Sequence, residues 1–125
     1  TFDIRDERLS SYIVAIMQGE CEEHLHAIFL NKQLHYLRDE RIASGTWDHI
    51  ALRLRPLLKR AIELNSASMV LFHNHPSGDP NPSADDVQFT KQAMHHAQAL
   101  DVQIVDHLIV AGSSVYSMAN AGLLK

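Results

Sequence analysis

Apolar residues recur along this chain with two periods, one typical of helices and one typical of strands. The first stretch, residues 4–18, has the helical period and is followed by Gly19, which suits a helix end. Its apolar positions are Leu9, Tyr12, Ile13 and Ile16. Residues 23–31 then alternate between apolar and polar, and residues 33–45 follow after a short connection, so these two stretches predict a β-hairpin.

The middle and the end of the chain alternate between the two patterns. An amphipathic helix is predicted to begin near Pro56, since proline suits the first helical turn. Its apolar positions are Leu57, Leu58, Ala61, Ile62 and Leu64. A buried strand, a second amphipathic helix and two closing strands are predicted at residues 67–73, 83–100, 102–111 and 114–119. This order of elements predicts an α/β fold, a mixed sheet flanked by helices.

Length and composition indicate one domain over residues 1–125. The chain has 125 residues and 46% hydrophobic content, which is enough to build one core. Because it starts at Thr1 rather than methionine, we expect a domain cut from a longer protein. Charged residues make up 21% of the chain, and no apolar run approaches ~18 residues. Neither a membrane span nor a secretory signal is therefore predicted, and we expect a cytoplasmic location without a membrane partner.

The charge of the chain argues against nucleic acid as a direct partner. The net charge is -4 and the pI is about 6.1, whereas nucleic-acid-binding domains usually show a basic excess. The one basic cluster, residues 53–60, is interpreted as a solvated helix face. Cys21 is the single cysteine, which excludes an internal disulfide and a paired-thiolate zinc site, and we expect it to be buried or half-buried.

Two histidines and an aspartate carry the strongest chemical signal. His73 and His75 end a predicted strand, where side chains two residues apart point to the same face. Ser83 is the expected N-cap of the next helix, and Asp86 in its first turn shares the buried stripe, unlike Asp85. The other members of that stripe are Phe89, Ala93, Ala97 and Leu100. Asn74 and Asp79 are expected to shape the intervening loop.

Each of these residues also has an ordinary structural interpretation. Serine and aspartate are favoured at helix starts for capping and dipole reasons, and a single histidine at a strand end is usually a hydrogen-bonded core or surface residue. Their joint occurrence favours a metal ion, because two histidines and an inward carboxylate repel one another unless a cation neutralises them. Three protein ligands leave a fourth position for water, the open arrangement of catalytic zinc.

A candidate proton acceptor lies far upstream. Glu23 shares strand parity with Leu25, Ala27 and Phe29, the more apolar face of the first strand, so it would point toward the core. There it could act in acid–base catalysis. The alternative is that the strand starts one residue later and Glu23 is solvated.

The pattern H-x-H-P…S-x-x-D, formed by His73, His75, Pro76, Ser83 and Asp86, resembles the JAB1/MPN (JAMM) metalloprotease-like domains. The string "HNHPSGDPNPS", with "EEHLHAIFL" upstream and "DHLIV" and "YSMANAGLL" downstream, resembles the RadC family of that group. The resemblance implies a curved mixed sheet with flanking helices, grouped with cytidine-deaminase-like folds. It also implies one zinc ion held by the two histidines and the aspartate, Glu23 as catalytic glutamate and Ser83 as the family's serine.

These parts predict a zinc metallopeptidase in which activated water attacks a peptide or isopeptide bond. Glu23 would take and return the proton, and Ser83 would donate a hydrogen bond to the developing oxyanion. Asp106 and His107 match the RadC string and are expected to support the ligands or to pack. The substrate would be a peptide or protein of open identity, and the oligomeric state is open. Two alternatives remain, a non-catalytic partner-binding module and the DNA-repair association with which RadC proteins are traditionally labelled.

Overall fold

A five-stranded mixed sheet forms the centre of the molecule. The structure is a computed structural model and describes residues 6–45 and 51–124. In chain order, its elements are α1 (Glu7–Met17), β1 (His24–Leu30), β2 (Tyr36–Ser44), α2 (Ala51–Glu63), β3 (Ser68–Asn74), α3 (Ala84–Ala99), β4 (Gln103–Ala111) and β5 (Ser114–Ser117). The predicted hairpin is confirmed as β1 and β2, and the α/β class is confirmed.

The strand order is β2-β1-β3-β4-β5, and only the β3–β4 pair is parallel among the pairs of this sheet. A parallel pair needs a crossover connection, which α3 provides. This connection carries the chain from the end of β3 across one face of the sheet and back to the start of β4. Residues at the end of β3 and in the first turn of α3 are therefore separated only by the segment 75–83.

Two separate hydrophobic cores cover the two faces of the sheet. On the face that we call the α3 face, α2 and α3 pack on side chains that include Leu25, Phe29 and Leu71. On the opposite α1 face, α1 packs on Ile28 and Phe72 among others. Because successive strand residues point to opposite faces, β1 and β3 contribute alternately to both cores. All residues of these two strands are consequently buried.

The start of α2 differs from the prediction. The helix begins at Ala51, and Pro56 lies inside it. The proline removes one backbone hydrogen bond, but the upstream turn is retained because Arg53 is buried and donates to the Gly45 carbonyl at 2.9 Å. Arg60 forms an ion pair with Glu40 at 2.6 Å. The basic cluster is therefore only in part a solvated face.

Some predicted core positions are exposed. The buried stripe of α1 is Leu9, Ile13 and Met17, and Tyr12 lies at its edge, where its hydroxyl donates to Asp39 at 2.7 Å. Ile62 and Leu100 are also exposed. Cys21 is exposed rather than buried or half-buried, because it lies in the connection between α1 and β1. The helix end at Gly19 is confirmed, with a φ of +80° that glycine adopts without strain.

None of the helices in the described part of the chain has the length and apolar character that a membrane-spanning segment requires.

Candidate metal centre

Three side chains from the end of β3 and the start of α3 converge on one point. His73 Nε2 lies 3.0 Å from His75 Nε2 and 3.3 Å from an oxygen of Asp86. His75 Nε2 lies 2.9 Å from the other Asp86 oxygen. His73 and Asp86 are buried and His75 is half-buried, so the group opens to solvent on the His75 side. These three side chains could hold a metal ion.

Local geometry explains the convergence. His75 follows β3 directly, and its backbone N–H donates to the Val110 carbonyl at 2.8 Å, which prolongs the parallel pairing with β4. The two histidines therefore keep the i, i+2 alignment of a strand. Asp86 is positioned by a capping box, in which Ser83 Oγ accepts from the Asp86 N–H and the Asp86 carboxylate accepts from the Ser83 N–H. The predicted N-cap is confirmed.

The donor set suits a divalent cation. His75 Nδ1 lies 2.7 Å from the Asp79 carbonyl, which can only accept, so Nδ1 carries a proton, and in the neutral ring Nε2 keeps its lone pair. That lone pair faces His73 Nε2 and the Asp86 carboxylate. Two imidazole nitrogens and one carboxylate oxygen are ligands that zinc accepts, with room for a fourth ligand. The residues present therefore fit a metal ion of this kind.

The electrostatics keep a negative charge at this point. Burial by itself would raise the pKa of Asp86, but hydrogen-bonding and charge interactions with the imidazoles of His73 and His75 hold the Asp86 pKa far below its usual range. The hydrogen bond to Asp86 in turn raises the pKa of His75. The carboxylate is consequently ionised near neutral pH and can bind either a protonated imidazole or a cation.

Behind His73 lies a second buried histidine. His107 on β4 places Nε2 2.7 Å from His73 Nδ1 and Nδ1 2.6 Å from Thr90 Oγ1. Burial lowers the pKa of His107 well below its usual range. Its neighbour Asp106 accepts from the Ser117 hydroxyl and the Ala119 N–H, and so ties β4 to the end of β5. The supporting role expected for these two residues agrees with this geometry.

No sequence motif singles out Thr90, although its position could have done so. It lies four residues after Asp86, and residues at this spacing share one face of a helix. Thr90 is fully buried, and its hydroxyl donates to the Asp86 carbonyl at 2.8 Å. A polar residue on the buried stripe of α3, one turn beyond a candidate ligand, was the available signal.

Glu23 lies immediately before β1, so the strand does start one residue later than the predicted parity assumed. The side chain is nevertheless half-buried and not simply solvated. Leu25 pairs with His73, so Glu23, two residues earlier, lies at the same end of the β1–β3 pair as His75. The charge of Glu23 contributes to the raised pKa of His75, after the larger effect of Asp86. The carboxylate therefore lies close to the group.

Asn74, between the two histidines, has a different role from the expected shaping of its own loop. Its side-chain oxygen accepts from the His24 N–H at 2.7 Å, and its amide donates to the Glu22 carbonyl at 3.0 Å. The backbone on both sides of Glu23 is therefore bound by one buried side chain of β3. Asp79 does shape the loop, since its carboxylate accepts from the backbone and the side chain of Asn81.

A cleft of about 490 Å³ on the α1 face has His75 in its lining, but neither His73 nor Asp86. Its lining includes the end of α1, the Asn74–Pro76 segment and the β4–β5 turn. A larger hollow of about 640 Å³ lies near the starts of β3 and β4, away from the histidines. The smaller cleft shares His75 with the candidate centre, whereas the larger hollow shares none of the three candidate ligands.

Comparisons with known proteins identify relatives that match most of this chain. A relative from Rhodobacter capsulatus is 37% identical over 118 residues, which cover 94% of this chain and 55% of the relative. Relatives from Acidithiobacillus ferrooxidans and Paraburkholderia xenovorans are 37% and 38% identical, over 92% and 93% of this chain and 51% and 46% of their own length. All three are UPF0758 proteins, a name that states no activity. The chain thus spans about half the length of these curated relatives.

The family comparison covers nearly the whole chain. A family model described as a RadC-like JAB domain matches residues 5–123, a range that includes β1, both histidines and the first turn of α3. The resemblance inferred from the histidine motif is confirmed. This chain belongs to the RadC-like JAB domain family.

Proposed function

We propose that this domain is the catalytic unit of a zinc-dependent metallopeptidase that hydrolyses a peptide or isopeptide bond. The observation that carries the proposal is the convergence of His73, His75 and Asp86, with donor atoms 2.9 to 3.3 Å apart. Glu23, two residues before Leu25, lies at the same end of the β1–β3 pair as His75. A closed structural zinc site would use four protein ligands, whereas three leave room for water.

His73, His75 and Asp86 would hold the zinc ion. When bound, zinc lowers the pKa of a coordinated water to about 7 and polarises the carbonyl oxygen of the substrate. The ionised Asp86 would offset part of the cation's charge in a buried position. The half-buried His75 would leave the open coordination position accessible from solvent.

Glu23 is the proposed proton carrier. Its carboxylate would accept the proton of the attacking water and then deliver it to the leaving nitrogen, so that no net proton is consumed at the enzyme. This role requires a fixed position close to the attacked carbonyl. The Asn74 side chain accepts from the His24 N–H and donates to the Glu22 carbonyl, on either side of Glu23, and these two hydrogen bonds support such a position.

Ser83 is the proposed donor to the oxyanion. Its Oγ accepts from the Asp86 N–H at 3.0 Å, which leaves the hydroxyl proton available to donate outward. The residue is exposed at the start of α3, on the same turn as the ligand Asp86. Loss of one such donor typically costs about 2.7–4 kcal/mol in the activation barrier.

We infer a peptide or protein substrate rather than a nucleic acid. The cleft next to His75 is lined by apolar side chains such as Val14, Met17 and Val110 together with polar groups. Such a mixed lining suits a polypeptide segment better than a phosphate backbone, which requires a basic surface. The net charge of -4 supports the same inference.

Metal analysis of the purified chain and of two variants tests this proposal. We expect one zinc per chain in the wild type and in Glu23→Gln, and none in His75→Ala. Hydrolysis of fluorogenic peptide and isopeptide libraries should be lost in Glu23→Gln, because its amide cannot accept the water proton. Retained zinc in His75→Ala would contradict the assignment of the centre. Full cleavage activity in Glu23→Gln would contradict the proposed chemistry while leaving the metal centre intact.

A further inference from the structure

We propose that Thr90 and His107 are positioning residues that fix the tautomer of His73 and join it to Asp86 as one preorganised unit. The inference rests on the metal-binding part of the proposed function and does not depend on hydrolysis. It concerns a loop of three hydrogen bonds that runs from His73 on β3 through His107 on β4 to Thr90 and Asp86 on α3. Neither the histidine motif nor the first turn of α3 contains these two residues.

The loop runs through four buried groups. From His73 Nδ1 it passes to His107 Nε2 at 2.7 Å, and from His107 Nδ1 to Thr90 Oγ1 at 2.6 Å. The Thr90 hydroxyl then lies 2.8 Å from the backbone carbonyl of Asp86. The relative exposure of each of the four residues is 2% or less. Water therefore has little access to replace any member.

The donor and the acceptor of each hydrogen bond in this loop can be assigned by starting from the backbone carbonyl of Asp86. The Asp86 carbonyl can only accept, so Thr90 donates its single hydroxyl proton there. Met118 Sδ, at 3.7 Å from Thr90 Oγ1, is a much weaker competitor. Thr90 Oγ1 must then accept from His107 Nδ1–H. A ring buried in this way is neutral, because burial disfavours the charged form, and His107 Nε2 keeps its lone pair.

That lone pair determines the state of His73. His107 Nε2 can accept only if His73 carries its proton on Nδ1, which leaves His73 Nε2 unprotonated. Nε2 is the atom that faces His75 and Asp86. The loop therefore selects the one neutral tautomer of His73 that can bind a cation.

The same hydroxyl also constrains the second buried ligand. Thr90 is bound to the backbone of Asp86 one helical turn away, while His107 holds the ring of His73. Metal-binding histidines usually donate their other N–H to a carboxylate, a backbone carbonyl or water. His75 follows that rule with the Asp79 carbonyl. His73 instead uses a neutral imidazole that is polarised by a threonine.

Zinc affinity of three variants tests the proposal. Thr90→Val removes the hydroxyl at nearly constant volume, Thr90→Ser retains it, and Ser66→Ala is the control. Ser66 is a buried residue whose hydroxyl is bound to the carbonyls of Leu30 and Ser68, at the opposite end of β3. Chelator competition with zinc alone would give the dissociation constants, and thermal unfolding would give the stability of each variant.

We expect Thr90→Val to weaken zinc binding by about 10- to 100-fold, the usual effect of losing a residue that orients a ligand. Thr90→Ser should stay close to the wild type. Ser66→Ala should lower thermal stability without changing zinc affinity. A Thr90→Val protein with wild-type zinc affinity would overturn the proposal, as would an equal loss of affinity in Ser66→Ala. A wild type that binds no zinc would instead refute the metal centre itself.

A measurement on the wild type keeps the proposal falsifiable even if Thr90→Val does not fold. Long-range ¹H–¹⁵N NMR spectra distinguish the two neutral tautomers of a histidine ring. We expect His107 to carry its proton on Nδ1 both with and without zinc. A proton on His107 Nε2 would reverse the loop and overturn the proposal.

Discussion

Buried histidines lie on both faces of this sheet, and the two groups differ in what surrounds them. On the α3 face, His73 and His107 are joined to each other and to Thr90 and Asp86. On the α1 face, His24 and His26 belong to β1 and are also buried. Burial of an imidazole is therefore common to both groups, and it does not by itself indicate a metal centre.

The partners of the α1-face histidines point in different directions. His24 contacts Ser44 Oγ at 2.7 Å through one ring nitrogen and Glu20 at 3.0 Å through the other. His26 stacks on Phe72 with ring centroids 5.0 Å apart. No shared point collects their nitrogens with a carboxylate, as far as the described residues go. Convergence of lone pairs on a buried negative charge is what distinguishes the α3 face.

Removing the negative charge of Asp86 should have the largest effect, a loss of zinc affinity. In Asp86→Asn the group loses an anionic ligand, and we expect zinc affinity to fall more than about a hundredfold, since each ligand contributes several of the ~10–16 kcal/mol of a structural zinc site. Asp85→Asn is the matched control, because Asp85 is exposed in the same helical turn. Chelator competition measures both. Equal zinc affinities in Asp86→Asn and Asp85→Asn would contradict the inference that the buried charge of Asp86 distinguishes the α3 face from the α1 face.

The pH dependence of stability should distinguish the α1 face, through His26, from the candidate metal centre. Burial, with the nearby charge of Arg41, lowers the pKa of His26 to about 4. The unfolded chain binds this proton more readily, so stability is fully present above about pH 6.5 and falls as the pH drops toward 4. The loss is at most about 3 kcal/mol, at 1.36 kcal/mol per unit of pKa.

Urea unfolding of the zinc-free chain between pH 7.5 and pH 4.5, compared with His26→Phe, checks this expectation. In His26→Phe, the free energy of unfolding should fall less between pH 7.5 and pH 4.5 than it does in the wild type. Because Phe keeps an aromatic ring over Phe72, its stability at pH 7.5 should stay close to that of the wild type. An unchanged acid slope in His26→Phe would show that other groups control the pH dependence of the α1 face.

A smaller effect on stability is expected for Asn74, whose side chain binds the backbone on both sides of Glu23. Asn74→Ala leaves the His24 N–H and the Glu22 carbonyl without their side-chain partner, which we expect to cost about 1–3 kcal/mol of stability. Zinc affinity should change little, since Asn74 is not a ligand. Hydrolytic activity should fall more than stability explains, because Glu23 loses its fixed backbone. Activity that tracks only the folded fraction would contradict this link.

Much of the centre could be predicted from residues that are close in sequence. The i, i+2 spacing of His73 and His75 needs only an extended strand, and the Ser83–Asp86 capping box needs only one helical turn. Both are short-range geometries that the residue types themselves favour. The errors arose where distant contacts override such preferences. Arg53 retains the helical turn before Pro56 through the Gly45 carbonyl, and Tyr12 reaches Asp39 on β2.

The sequence by itself predicted most helices and strands, the α/β class and the three candidate ligands, because the residue patterns of single elements, the strand spacing and the capping box are local geometries. Tertiary structure alone decided that the half-buried Glu23 lies near His75, and that His107 and Thr90 form the hydrogen-bonded loop behind His73. Those contacts depend on the register of β1 against β3 and on how α3 packs over β4. No local pattern specifies that register, since it results from the packing of both cores together.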